Sequence, residues 1–309
     1  MGMLVEGEWK VQEVNPETKD GEFHRQKQKY HSSLGKEYPK EKGRYHLYVS
    51  YACPWAHRTL IMRQLKGLED FISYSVVSPD MMDEGWSFDN SFSGSTGDQI
   101  YNLSFLKDLY TKADNKFTGR VTVPVLWDKQ TDSIVNNESS EIIRIFNSLN
   151  EFSSNQEDYY PESYKDEIDE VNDDVYNNIN NGVYKTGFAR NQKAYEKNFM
   201  NLFDSLERQE KRLEGKLYLV GENLTEADIR LFTTLIRFDA VYFTHFKCNK
   251  RMIKDYPNLN RYLKNLYSLD AFRRTTNFNH IKRHYYYSHR TLNPFGIVPL
   301  GPSLDSLTD

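Results

Sequence analysis

Cysteine is scarce in this sequence, with Cys53 and Cys248 the only two among 309 residues. Two cysteines so far apart exclude a disulfide framework and are typical of proteins from a reducing compartment. No run of about 18 apolar residues occurs, so the sequence predicts no membrane-spanning helix. The first residues lack the basic flank and the apolar stretch of a secretory signal, and we therefore expect a cytoplasmic protein.

Charge is balanced rather than one-sided, because 40 Lys and Arg residues oppose 44 Asp and Glu residues. Without a basic stretch, the sequence gives no reason to expect nucleic acid as a partner. The 8 histidines show no spacing typical of metal ligands, so we expect no metal. The residue in excess is tyrosine, with 22 copies. Tyrosines in that number can cover a wet surface or line a pocket for a flat, polar ring.

The first half of the chain has the periodicity of a mixed α/β domain. Predicted strands are 44–50, 71–77, 121–127 and 133–135, and predicted helices are 54–65, 99–113 and 137–149. The order strand, helix, strand, helix, strand, strand, helix is typical of a thioredoxin-like fold, a mixed sheet with flanking helices.

The second half loses the strand signal, and helices are predicted over 160–181, 190–214, 225–242 and 258–269. A chain of this length fits two packed domains. We therefore predict four regions along the chain. They are an irregular N-terminal arm (1–42), a thioredoxin-like domain (43–150), an all-helical C-terminal domain (160–275) and an irregular tail (276–309).

Cys53 lies where a predicted strand meets a predicted helix, in the segment Cys53-Pro54-Trp55-Ala56. The positive end of the helix dipole lowers the pKa of such a cysteine from about 8.5 to about 3.5–7.5. The resulting thiolate is the nucleophile of disulfide exchange. Ala56 replaces the second cysteine of a Cys-x-x-Cys pair, so an external thiol must complete the cycle. A buried structural cysteine is the alternative, but the following proline favours function.

Pro124 interrupts a predicted strand, where a proline cannot donate to the ladder. The bond between Val123 and Pro124 can be cis, and in thioredoxin-like folds a cis-proline loop faces the cysteine. Val123 would then offer backbone groups to an extended peptide. The alternative is an ordinary start of an edge strand.

Asn137-Glu138-Ser139 opens a predicted helix. A helix N-terminus with a free hydroxyl is suited to a carboxylate, and Glu138 can accept hydrogen bonds from an ammonium group. Together they suit a zwitterionic end such as the γ-glutamyl group of glutathione. An ordinary helix cap is the alternative.

Two further residues are interpreted as structural. Thr225 and Asp228 have the spacing of a capping box with Asp in place of Glu, so we expect Asp228 to support folding and not catalysis. Cys248 has no partner pattern and is interpreted as incidental.

These pieces resemble the glutathione transferase fold, and more narrowly its xi class, the glutathionyl-hydroquinone reductases, which are relatives of the omega class. The resemblance runs from about residue 20 to 300 and is carried by six blocks of sequence. The blocks are Tyr51–Arg58, Asp83–Phe88, Gly119–Asp128, Asn137–Arg144, Asn181–Lys185 and His280–Tyr286.

The resemblance implies roles that the residues alone do not establish. Cys53 would attack the glutathione sulfur of a glutathionyl-hydroquinone, and a second glutathione would resolve the mixed disulfide. Glutathione would be held by Trp86, Arg120, Val123, Pro124, Glu138 and Ser139. The aromatic substrate would face Tyr184, Tyr285 and Tyr286. Because family members are dimers, a homodimer is expected.

Two other functions stay open at this point, and a third is disfavoured. An omega-like thioltransferase or dehydroascorbate reductase would use the same Cys53 chemistry on another substrate. A binding protein could reuse the fold without the thiolate, because fold does not determine function. Transfer of glutathione onto electrophiles is disfavoured, since a cysteine at this position would trap glutathione as a disulfide.

Overall fold

A computed structural model describes residues 2–11, 20–303 and 307. The chain forms two compact units. The first comprises Met1–Pro16, Gln26–Glu157 and Thr275–Arg290, and the second Glu17–Arg25, Asp158–Arg274 and Thr291–Asp309. Every helix among the described residues is too short or too polar to cross a membrane.

The first unit holds the strands and the helices that flank them. Its strands are β1 (Gly2–Val5), β2 (Glu8–Val11), β3 (Tyr45–Val49), β4 (Ile72–Val76), β5 (Val125–Asp128) and β6 (Ser133–Asn136). Its helices are α1 (Pro54–Leu65), α2 (Leu106–Ala113) and α3 (Ser139–Asn147), with a short turn of 3₁₀ helix at Asn150–Phe152. Near the C-terminus, α11 (Phe278–Arg283) runs into a π-helical turn, His284–Ser288.

The main sheet has the strand order β4-β3-β5-β6. Strands β3 and β4 are parallel, with Leu47 opposite Tyr74, whereas β5 is antiparallel to both β3 and β6. All five residues of β3 are buried, as expected for a central strand covered on both faces. The predicted mixed sheet with flanking helices is therefore confirmed.

Helix α1 begins as the sequence predicts. Pro54 occupies its first turn, where the missing N–H would have no helical partner. After the helix ends, Gly67 adopts φ +61°, the left-handed conformation common just past a helix C-terminus. Pro54 and Gly67 thus define the start and the end of α1, and both can be identified from the local sequence.

Two predicted element boundaries are wrong. Helix α2 begins at Leu106 and not at residue 99, because the Asp98 carboxylate accepts hydrogen bonds from the backbone N–H groups of Ile100, Tyr101 and Leu103 and holds them in a turn. Strand β5 begins only at Val125, after the proline that cannot join the ladder.

The predictions of an irregular N-terminal arm (1–42) and an irregular tail (276–309) are wrong in part. Residues 2–11 form an antiparallel hairpin that buries Leu4. Residues 278–288 are helical and bury Ile281. Both segments gain their order from contacts with distant parts of the first unit. Residues 1, 12–19, 304–306, 308 and 309 lie outside the described residues.

The second unit is helical, as predicted. Its helices are α4 (Lys165–Asp174), α5 (Gly182–Gly187), α6 (Gln192–Arg212), α7 (Glu226–Arg237), α8 (Phe243–His245), α9 (Pro257–Ser268) and α10 (Asp270–Arg273). Shorter turns are the 3₁₀ segments Glu162–Tyr164 and Ile253–Asp255 and the π-helical segments Val175–Asn180 and Phe238–Tyr242.

The start of α7 is stabilised by a buried carboxylate. Asp228 accepts hydrogen bonds from the Thr225 N–H at 2.8 Å and the Leu219 N–H at 2.9 Å. The Thr225 hydroxyl and the Tyr262 hydroxyl donate to the same carboxylate. The predicted capping box is confirmed, and it also ties the helix to the preceding loop and to α9.

Candidate active site

Cys53 caps the N-terminus of α1. Its backbone is extended, with φ −75° and ψ 120°, and its carbonyl oxygen accepts the first helical hydrogen bond from the His57 N–H at 3.0 Å. Cys53 forms no disulfide and is half-buried. The N-terminus of a helix is the positive end of its dipole, and it stabilises negative charge on a group placed there. The predicted strand-to-helix junction is confirmed.

The loop before β5 lies against this cysteine. The Val123–Pro124 peptide bond is cis, as the interruption of the strand pattern predicts. The Cys53 thiol donates to the Val123 carbonyl oxygen across 3.6 Å. The structure therefore brings together the two motifs that the sequence separates by 70 residues.

Glu138 and Ser139 lie at the N-terminus of α3. Glu138 is the cap residue, and its carboxylate accepts a hydrogen bond from the Ser140 N–H at 3.1 Å. The Ser139 hydroxyl, expected to be free, lies 3.5 Å from the same Glu138 oxygen. The interpretation of Glu138 as a helix cap is confirmed, and the binding of glutathione by Glu138 and Ser139 stays a prediction. Glu138 is half-exposed and Ser139 is buried.

Trp86 lies in a loop that turns at Gly85, which adopts φ +80°. The Trp86 carbonyl oxygen accepts from the first N–H of α2, that of Leu106, at 2.9 Å. Its buried indole stacks on the imidazole of His284, with ring centroids 4.7 Å apart. Trp86 is thus held by both a helix start and an aromatic partner.

Arg120 follows Gly119 and precedes the cis-proline loop. Its side chain is half-buried, and burial lowers the pKa of its guanidinium. An arginine in such a setting still carries its charge at neutral pH. It thereby supplies a partly desolvated positive group to this part of the first unit.

The C-terminal segment places two of the predicted substrate residues in the first unit. Tyr285 is 1% exposed and Tyr286 is 6% exposed. The ring of Tyr285 lies edge-on to those of its neighbours His284 and His289. Since His284 also stacks on Trp86, a chain of ring contacts joins Tyr285 to the predicted glutathione-binding loop.

Sequence reasoning assigned no role to the residues that hold this segment in place. The Arg283 guanidinium makes two hydrogen bonds to the Asp80 carboxylate, at 2.7 and 2.8 Å. His284 donates to the Pro79 carbonyl oxygen at 3.0 Å. The partners are about 200 residues apart in sequence, so no local pattern could have indicated them.

Tyr184 lies in the second unit, on α5. Its ring packs among Phe188, Tyr242 and Phe246, with centroids 5.5–6.3 Å away. The Arg25 guanidinium lies 4.9 Å from the centre of the same ring. The ring is half-buried and contributes to an aromatic cluster of that unit.

Cys248 lies in the second unit and is fully buried. Burial raises the pKa of its thiol, which donates to the Phe246 carbonyl oxygen at 3.8 Å. Within the described ranges, no three His, Cys, Asp or Glu side chains are grouped so that they could hold a metal ion.

Comparison with known proteins identifies both halves of the chain. Residues 52–149 match the family model of the glutathione S-transferase N-terminal domain, and residues 192–265 match that of the C-terminal domain. The sequence is 50% identical to the glutathionyl-hydroquinone reductase YqjG of Escherichia coli strain K12, over 99% of this chain and 96% of that protein. It is also 50% identical to the glutathionyl-hydroquinone reductase PcpF of Sphingobium chlorophenolicum, over 98% of this chain and 97% of that one.

Solved structures agree with the sequence comparisons. The glutathione S-transferase Xi of Phanerochaete chrysosporium superimposes with a TM-score of 0.90 at 55% identity, covering 93% of this chain and 95% of that chain. The glutathione-bound structure of YqjG superimposes with a TM-score of 0.84 at 56% identity, covering 86% and 87%. The chain therefore belongs to the glutathione transferase family, within its xi class.

Proposed function

We propose that this chain is a glutathionyl-hydroquinone reductase that uses glutathione as co-substrate and Cys53 as nucleophile. The observation that carries the proposal is the setting of the Cys53 thiol. Cys53 caps α1, and its sulfur lies 3.6 Å from the Val123 carbonyl oxygen. Ala56 occupies the position where a resolving cysteine could be. Two relatives at 50% identity over nearly the whole chain carry this activity in their names.

The reaction consists of two exchanges at sulfur. The Cys53 thiolate attacks the glutathione sulfur of the substrate, so an S–S bond forms and the aryl C–S bond breaks. The electron pair of that bond stays on the ring carbon, which takes up a proton and leaves as part of the hydroquinone. A second glutathione thiolate then attacks the mixed disulfide, which releases oxidised glutathione and restores the Cys53 thiolate. The ring is reduced, and the two glutathione sulfurs are oxidised.

Glutathione binds along the edge of the first unit that carries Cys53. The cis-proline loop, with Val123 and Pro124, pairs its backbone with the peptide. Glu138 accepts from the ammonium group of the γ-glutamyl end, and Ser139 with the first N–H groups of α3 donates to its carboxylate. Arg120 and Trp86 complete the binding site through charge and ring contact. The half-exposed carboxylate of Glu138 and the cap geometry of α3 support these roles.

Tyr285 and Tyr286 of the first unit contact the aromatic part of the substrate, and the role of Tyr184 in the second unit stays a prediction of the family resemblance. Ring stacking and a hydroxyl directed at quinol oxygens suit this task. The low exposure of Tyr285 and Tyr286, 1% and 6%, favours a role in shaping the wall of the substrate site.

The test combines a glutathionyl-hydroquinone with glutathione and follows free hydroquinone and oxidised glutathione. We expect both products in a one-to-one ratio from the wild type and from Cys248→Ser, and neither from Cys53→Ala or Cys53→Ser. A glutathione adduct on Cys53 without turnover would direct the assay to disulfides and dehydroascorbate, the substrates of the omega-like alternative. The absence of both adduct and turnover would contradict the proposal and favour a binding protein.

A cytoplasmic location and a homodimeric state complete the proposal. Two cysteines that form no disulfide and a dependence on reduced glutathione suit a reducing compartment. Sedimentation equilibrium of the full chain tests the dimer. Fractionation of the source cells tests the location.

A further inference from the structure

The proposed function leaves the N-terminal hairpin without a role. Strands β1 and β2 are joined at Glu6 and Gly7, which adopt φ +50° and +81°. Two consecutive residues with positive φ form the tight turn that matches the twist of a hairpin. The hairpin is a two-stranded sheet of its own, separate from the main sheet. A hairpin of this size is stable only when it packs on something else, so its contacts indicate its purpose.

Strand β1 is attached to the segment that leads into the cis-proline loop. Leu4 and Gly119 exchange two backbone hydrogen bonds, at 3.0 and 2.9 Å. The Gly7 N–H donates to the Phe117 carbonyl oxygen at 3.0 Å, and the Glu6 N–H donates to the Thr118 hydroxyl at 2.8 Å. These bonds fix the backbone immediately before Arg120.

Strand β2 is attached to the loop that carries Trp86. The Trp9 indole N–H donates to the Asp83 carbonyl oxygen at 2.8 Å. The same indole packs against the backbone of Gly85, where an added Cβ would lie 2.9 Å from the ring. On the hairpin itself, a Cβ on Gly2 would lie 2.8 Å from the Trp9 ring. The indole thus contacts Gly2 on its own hairpin and Gly85 on the loop.

A lysine from α2 extends this contact. The Lys107 ammonium lies 5.2 Å from the centre of the Trp9 ring and forms an ion pair with Glu84. A cation near an indole is attracted by the electron-rich ring. Trp9 therefore interacts with the loop through a hydrogen bond, a ring contact and a shared lysine.

We infer that Trp9 is a positioning residue for glutathione. It fixes the Trp86 loop relative to the Gly119 segment before the ligand arrives, and the hairpin is the brace between them. The inference rests on the proposed glutathione site. A protein whose binding-competent arrangement is only partly populated loses apparent affinity by that fraction. Release of the loop should therefore weaken glutathione binding while the Cys53 thiol keeps its setting at α1.

The experiment measures glutathione affinity directly, by calorimetry in a Cys53→Ser background that cannot form a mixed disulfide. Trp9→Phe keeps an apolar ring and removes the hydrogen-bond donor to Asp83. Trp9→Ala removes both the ring and the donor. Val11→Ala is the matched control, because Val11 lies on the same strand and is 60% exposed. We expect affinity to fall about 3- to 10-fold in Trp9→Phe, the factor that corresponds to one lost hydrogen bond. The loss should be larger in Trp9→Ala and absent in Val11→Ala.

Two readouts separate positioning from general stability. With Cys53 present, the Trp9 variants should raise KM for glutathione with kcat at saturation within about twofold, and iodoacetamide should alkylate Cys53 at the wild-type rate. Gly85→Ala, which introduces a methyl group against the indole, should weaken binding more in the wild type than in Trp9→Ala.

Each failure has its own signature. Unchanged affinity in both Trp9 variants would overturn the inference and leave the proposed function intact. Equal losses in Trp9 and Val11 variants would also overturn it, because they would indicate a general effect of the hairpin on stability. Failure of the parent protein to bind glutathione would instead contradict the proposed function.

Discussion

A cysteine and a capping carboxylate of the first unit can be compared with a cysteine and a capping carboxylate of the second, because their surroundings are opposite. Cys53 in the first unit is half-buried at the start of α1, whereas Cys248 in the second is fully buried and its thiol pKa is raised by that burial. Glu138 at α3 is half-exposed, whereas Asp228 at α7 is fully buried and accepts four hydrogen bonds. We propose that the accessible Cys53 and Glu138 serve chemistry and binding, whereas the enclosed and hydrogen-bonded Asp228 serves stability.

The largest expected effect separates the two cysteines. Cys53→Ser should lower the reductase activity at least about 1000-fold, since it removes the sulfur that is the nucleophile of the first exchange and the leaving group of the second. Cys248→Ser should retain activity within about twofold, because a buried thiol with a raised pKa supplies no thiolate. The turnover rates of the two variants with a glutathionyl-hydroquinone and glutathione, relative to the wild type, measure these effects.

Peptide mapping after brief iodoacetamide treatment provides a check that is independent of turnover. The label should be found on Cys53 and not on Cys248 in the folded chain. Equal labelling of both thiols, or activity that depends on Cys248, would contradict the distinction between a reactive Cys53 and an unreactive Cys248.

The second effect concerns stability alone. Asp228→Ala removes the acceptor of four hydrogen bonds and leaves buried donors without partners, so we expect about 4 kcal/mol loss in the free energy of unfolding. The kcat per folded molecule should stay near the wild-type value at a temperature where the variant is folded. Denaturant titration followed by circular dichroism measures the loss. A change in KM for glutathione would contradict the assignment of Asp228 to folding.

The stability contribution of Asp228 should also depend on pH. Burial raises the pKa of Asp228 to about 6, against 3.8 for an ordinary aspartate. Between these values the folded chain holds a proton that the unfolded chain has released, so the contribution of this group to stability falls as pH rises from about 4 to 6. The free energy of unfolding of the wild type should fall by up to about 3 kcal/mol between pH 4 and 6, relative to that of Asp228→Asn, whose side chain does not titrate. A constant difference between the two proteins from pH 4 to 7 would show that the pKa is unshifted.

The smallest effect tests the carboxylate of the first unit. Glu138→Gln keeps an oxygen that can accept from the Ser140 N–H but removes the charge. We expect KM for glutathione to rise about 10-fold, as for the loss of one charge-assisted hydrogen bond, with the melting temperature nearly unchanged. The opposite pattern, a lower melting temperature at constant KM, would assign Glu138 to capping, like Asp228.

The local sequence was sufficient to predict those structural features that depend mainly on neighbouring residues. The junction at Cys53 and Pro54 and the capping box at Thr225 each involve a backbone geometry that one or two residues determine, and the cis bond at Pro124 follows from the proline together with the predicted thioredoxin-like fold. These features define the candidate site and the start of α7, and the structure has all three.

Features that depend on distant partners could not be predicted in this way. The hairpin is ordered by contacts such as that of Trp9 with Asp83, and the C-terminal helix by the ion pair of Arg283 with Asp80. Neither segment has a strong periodic pattern of its own, so the sequence predicts both to be irregular. The stacking of His284 on Trp86 belongs to the same class, because only the fold brings the two rings together.

Ala56 has a consequence for how the protein would behave in a cell. Without a sulfur in the first turn of α1, the chain cannot close an internal disulfide over the oxidised Cys53. In the proposed mechanism, the lifetime of the mixed disulfide would depend on the supply of free glutathione. As the glutathione pool becomes oxidised, the form with glutathione bound to Cys53 would accumulate and turnover would slow. The rate of hydroquinone release would thereby be linked to the redox state of its surroundings.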